Sequence, residues 1–70
     1  MAEHIANSVH ALRTKNGLTQ EELADKVGVT RQTVISIEKG NYTPSVLLAL
    51  KIATVFKASV EEIFRISYGK

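Results

Sequence analysis

The chain has 70 residues and no cysteine, and its nine Lys and Arg against seven Asp and Glu give a formal charge of +2 and a pI of about 9.2. That length allows one domain with a core worth about 3–5 kcal/mol net, and too little chain to enclose a substrate pocket. The lack of cysteine excludes disulfides and thiolate metal sites and suits a cytoplasmic protein. The longest wholly apolar run is the five residues Val46–Leu50, far short of the ~20 that a membrane helix needs. No basic stretch leads into an apolar one near the first residue, so no signal peptide is expected. A mildly basic chain is compatible with nucleic acid, and the placement of the charges says more than their sum.

In chain order, the spacing predicts a first helix from Ala2 or Glu3 to Lys15. Ile5, Val9 and Leu12 form its apolar stripe, with Ala2, Ala6 and Ala11 nearby. Asn16-Gly17 ends it, Gly17 taking the left-handed backbone that closes helices, and Leu18 turns into the core. Thr19-Gln20-Glu21-Glu22 is a capping box, with the Thr19 hydroxyl at the helix start and Glu22 reaching back to the Thr19 amide. The second helix follows to Val27 with Leu23, Ala24 and Val27 on one face. Gly28 stops it, Val29 plugs the corner, and Thr30 caps a third helix of about Arg31 to Lys39, closed by Gly40. Two short amphipathic helices joined by one glycine-containing turn make a helix-turn-helix over Thr19–Gly40.

Asn41-Tyr42-Thr43-Pro44 is loop by composition. Ser45 caps a fourth helix, Val46 to Phe56, whose core face is assigned to Val46, Ala49, Ile52, Ala53 and Phe56. Leu47 and Leu50 fall outside that stripe, which implies a second buried surface. Ser59-Val60-Glu61-Glu62 is a second capping box and opens a short fifth helix to about Phe64. The tail, Arg65-Ile66-Ser67-Tyr68-Gly69-Lys70, either extends that helix or forms a short strand.

The residues Arg13, Gly17-Leu18-Thr19-Gln20-Glu21-Glu22-Leu23-Ala24, Gly28-Val29-Thr30-Arg31-Gln32-Thr33-Val34, Ile37-Glu38-Lys39-Gly40, Pro44-Ser45, Leu48-Ala49 and Ile52-Ala53 resemble a lambda-repressor-like (Cro/CI-type, also XRE-type) DNA-binding domain. The likeness spans nearly the whole chain. It implies a single all-α domain over residues 1–70 with five helices, a homodimer, and transcriptional regulation from a palindromic operator.

On that reading the third helix lies in the major groove of double-stranded DNA. Arg31, Gln32, Thr33 and Ser36 are its candidate base readers: arginine pairs bidentately with guanine, glutamine with adenine, and threonine offers a methyl or a hydroxyl. The resemblance places Gln20 on the sugar-phosphate backbone, with the loop residues Lys39, Asn41, Tyr42 and Thr43 on the opposite strand, all suitable phosphate donors. It also joins Arg13 to Glu38 as a largely buried ion pair, so Glu38 is scaffold rather than a catalytic carboxylate. Leu47, Leu50, Ile63, Phe64 and Tyr68 are the expected dimer surface.

No metal site, cofactor or small-molecule effector domain is expected, because His4 and His10 lack ligand spacing and no nucleophile elbow or phosphate loop occurs. An enzyme is not expected. The competing reading is a protein-interaction module of antitoxin or controller type that uses the same fold to meet a partner protein.

Overall fold

The first and last described segments pair with each other. In the computed structural model, which describes residues 3–68, strand β1 (Glu3–Asn7) runs antiparallel to β2 (Phe64–Tyr68). The register sets Ile5 opposite Ile66 and Asn7 opposite Phe64. The Ser8 amide continues the ladder onto the Ile63 carbonyl at 2.9 Å. Between the strands lie α1 (Val9–Lys15), α2 (Gln20–Val27), α3 (Arg31–Glu38), α4 (Val46–Phe56) and α5 (Val60–Ile63).

The five helices appear as expected, but the first begins at Val9 rather than at residue 2 or 3. Ala2 lies outside the described residues, as do Gly69 and Lys70. Ile5, Val9 and Leu12 share a helical spacing, yet Asn7 interrupts it. Its Oδ1 accepts from the Val9 amide at 3.1 Å, so Asn7 starts α1 from two residues upstream. The residues before it are then free to extend, and Phe64–Tyr68 supplies the partner that the isolated segment lacks. Of the two readings open for the tail, the strand is the one observed, through Tyr68. The domain is all-α with one two-stranded sheet added.

The core is built from Val9 of α1, Leu23, Ala24 and Val27 of α2, Val34 and Ile37 of α3, Leu48, Ile52 and Ala53 of α4, and Ile63 of α5. On α4 the buried stripe is Leu48, Ala49, Ile52 and Ala53. Phe56 is half-buried, and Val46, assigned above to the core, is 77 % exposed. Val46 sits at the edge of the stripe on the first turn, and Leu48 takes the central place. Among the described residues no helix is long and apolar enough to cross a membrane.

Candidate nucleic-acid interface

The interface is assembled at the α2–α3 corner. Thr19 opens α2 with both halves of a capping box: its Oγ1 accepts from the Glu22 amide at 3.0 Å, and its own amide donates to Glu22 Oε1 at 2.8 Å. Gly28, at φ +76°, ends α2 in the left-handed region, and the Val29 amide reaches back to the Ala24 carbonyl at 3.0 Å. Val29 packs against the core. Thr30 starts α3, its Oγ1 accepting from the Thr33 amide at 3.2 Å and lying 3.1 Å from Thr33 Oγ1. The far end of α3 closes when Gly40 donates to the Ile37 carbonyl and Asn41 to the Ser36 carbonyl, with Gly40 at φ +80°. This double return satisfies carbonyls that the helix leaves open.

Caps at both ends and two buried apolar anchors, Val34 and Ile37, hold α3 with its other face outward. Arg31 and Gln32 are exposed at its first turn, and Thr33 and Ser36 are half-buried. Arg31 and Gln32 make no side-chain hydrogen bond among the described residues, so their forks are free to meet a ligand. Thr33 is different, since its hydroxyl is engaged with the Thr30 cap. Lys39, Asn41, Tyr42 and Thr43 are all exposed in the segment after α3. Tyr42 is 47 % exposed, which keeps its phenol accessible.

The single acid of α3 is turned inward. Glu38 Oε2 accepts from Arg13 Nε at 2.6 Å, and the two side chains are only 7 % and 10 % exposed. Glu38 Oε1 has three neighbours: Gln20 Nε2 at 3.1 Å, His10 Nδ1 at 3.2 Å and Arg13 Nη2 at 3.3 Å. Arg13 Nη1 donates to the Leu18 carbonyl at 2.8 Å and so ties the α1–α2 turn to the same cluster. Burial by itself would raise the Glu38 carboxyl. The hydrogen bonds from Arg13, Gln20 and His10, with the Arg13 charge, outweigh it and hold the group below its ordinary 4.5. The outward face of α3 therefore carries Arg31 and Lys39 with no competing acid from its own helix.

Two contributors escaped the sequence reading. Asn7 joins β1 to α3, its Nδ2 donating to the Ile37 carbonyl at 2.9 Å. Asn7-Ser8 just before Val9 are both favoured cap residues, and that was the available signal. His10 joins the Glu38 cluster from the next turn of α1, a contact over 28 positions that no local pattern reports. Of the residues expected at a dimer surface, Leu47, Leu50 and Tyr68 are exposed and Phe64 is half-buried. Ile63 is fully buried in its own domain and cannot serve a partner.

This is the architecture of a helix-turn-helix DNA-binding domain. A helix-turn-helix family model matches residues 9–63, which is α1 through α5. An HTH-type transcriptional regulator of Archaeoglobus fulgidus is 55 % identical over 56 residues, covering 80 % of each chain. The HTH-type transcriptional regulator YgzD of Bacillus subtilis is 55 % identical over 58 residues, covering 83 % of this chain and 88 % of its own. Among solved structures, the restriction-modification controller protein C.AhdI of Aeromonas hydrophila superposes with a TM-score of 0.71 at 37 % identity, over 77 % of this chain and 82 % of that one. The chain belongs to the lambda-repressor-like (XRE-type) helix-turn-helix family. It is a DNA-binding transcriptional regulator, in a family whose work is binding rather than catalysis.

Proposed function

We propose that the protein is a repressor that binds a palindromic operator as a homodimer. One observation carries the reading: α3 presents Arg31 and Gln32 unengaged at its exposed N-terminal turn, while the helix's one carboxylate is neutralised inside the domain. Arg31, Gln32, Thr33 and Ser36 contact base edges, Thr33 mainly through its methyl. Gln20, Lys39, Asn41, Tyr42 and Thr43 contact phosphates on either side of the groove. A monomer of this size reads one half-site, and two half-sites lie about one helical turn apart, ~34 Å. Leu47, Leu50, Phe64 and Tyr68 form the contact between copies. Leu50 and Phe64 already line an apolar groove with Ile5, Pro44, Val46 and Val60. Occupying a promoter is the simplest way for such a module to act on transcription.

The test is selection of bound duplexes from a random pool, followed by footprinting. A two-fold symmetric site with half-sites one turn apart is the expected result, and affinity should fall steeply with salt. Enrichment of no sequence, or affinity indifferent to salt, would leave the apolar groove as the better clue and favour a protein-interaction module.

A further inference from the structure

We propose that Glu38 is a positioning residue for DNA binding: its buried carboxylate holds the Gln20 side chain in the one amide orientation that can donate to a phosphate. This rests on the reading of Gln20 as a backbone contact. An ionised carboxylate only accepts hydrogen bonds, whereas a glutamine amide has one donor end and one acceptor end. Gln20 lies within 3.1 Å of Glu38 Oε1, so it must turn its nitrogen to the carboxylate. The flipped amide would set its oxygen against a negative charge.

Phosphate oxygens also only accept. The amide nitrogen carries two hydrogens. One is engaged by Glu38, and the other remains on the same fixed nitrogen for the DNA backbone. Gln20 is the first residue of α2, where the helix amides also favour an anion. A free glutamine there would sample several rotamers and both amide faces, and binding would have to order it. Here the ordering is done on folding.

The charge that does this is affordable because it is matched. Arg13 answers Glu38 through Nε at 2.6 Å and Nη2 at 3.3 Å, and is itself held by the Leu18 carbonyl. His10 stands at the same carboxylate oxygen. Glu38 can therefore sit beside a phosphate-binding residue without repelling the phosphate.

A binding cycle separates positioning from scaffolding. Replacing the ion pair by an apolar pair, Arg13→Met with Glu38→Leu, leaves no stranded charge, an exchange that domains often tolerate. Binding is measured at fixed salt to the duplex enriched by selection and to a random-sequence duplex of equal length, with thermal melting as a check on folding. In the unaltered chain Gln20→Ala should weaken binding to both duplexes by about three- to ten-fold, the effect of one pre-ordered long side chain. In the apolar-pair background the same substitution should cost less than about two-fold. Glu38→Gln with Arg13→Met restores an acceptor without the charge, and should recover part of the Gln20 effect.

Equal losses in both backgrounds would overturn the positioning role and leave Glu38 a scaffold residue. No loss in either background would overturn the Gln20 contact itself, and the proposal with it. A measurement on the unaltered chain stands independently of these variants. In the free protein the Gln20 side-chain amide should be as ordered by NMR relaxation as the α2 backbone; mobility equal to that of the exposed Gln32 amide would overturn the proposal.

Discussion

A glutamate at the end of a helix proposed to read DNA is a liability unless its charge is answered, and Glu38 shows how that is done. Three donor atoms from Arg13 and Gln20 converge on its two oxygens at 2.6 to 3.3 Å, with His10 Nδ1 beside them at 3.2 Å. Because the folded carboxyl lies below its ordinary 4.5, it adds stability above that value. The contribution is lost as pH falls from about 4.5 through the lower folded value. Melting temperatures measured from pH 7 downward should therefore be flat at first and then drop. Glu38→Gln should melt lower at neutral pH, because it leaves the buried Arg13 charge unanswered, and should show a shallower acid limb. An acid limb identical to that of the unaltered chain would show that Glu38 is not the group responsible. On the outer face, Arg31→Ala and Gln32→Ala should leave the melting temperature nearly unchanged. Each should relax base preference at its own position by about 1–3 kcal/mol, read from operator variants.

Among the elements, the helix ends were legible because their chemistry is local. Thr19, Thr30, Ser45 and Ser59 each cap the helix that follows, and Gly17, Gly28 and Gly40 each take a positive φ where a helix stops. A hydroxyl three residues from the amide it serves needs no tertiary partner to be read. The start of α1 was misplaced because Ile5, Val9 and Leu12 satisfy the helical spacing by coincidence. Asn7 decides the matter, and it does two things at once: Oδ1 starts α1 and Nδ2 tethers the end of α3. Asn7→Ala should cost about 1–2 kcal/mol, a fall in Tm of roughly 5–15 °C for a domain this small. Asn7→Asp keeps the acceptor and loses the donor, so it should recover the helix start but not the tether. If Asp and Ala prove equally destabilised, the cap contributes nothing and the tether is the whole effect.

For the molecule as a whole, the family match ends where the sheet begins. Residues 9–63 carry the five helices, and β1 and β2 flank them on either side. Ile5 and Phe64 of the two strands line one apolar groove with Val46 and Leu50 of α4, and Leu47, Ile66 and Tyr68 are exposed as well. On the proposed reading, this apolar surface is where a second copy docks. Leu47→Glu should convert a dimer in sedimentation to a monomer of unchanged melting profile at low concentration, with weaker operator binding. A chain that is monomeric before the substitution would remove the dimer from the reading.

The capping residues, the turn glycines, the corner of the helix-turn-helix and the exposed polar start of α3 all follow from interactions spanning a few residues, and the sequence determines them alone. The pairing of Glu3–Asn7 with Phe64–Tyr68, the burial of Ile63 and Leu48 in place of Val46, and the meeting of His10, Arg13, Gln20 and Glu38 at one carboxylate do not. Each depends on segments far apart in the chain, and the free energy that decides between strand and helix, or core and surface, comes from a partner that no local window contains.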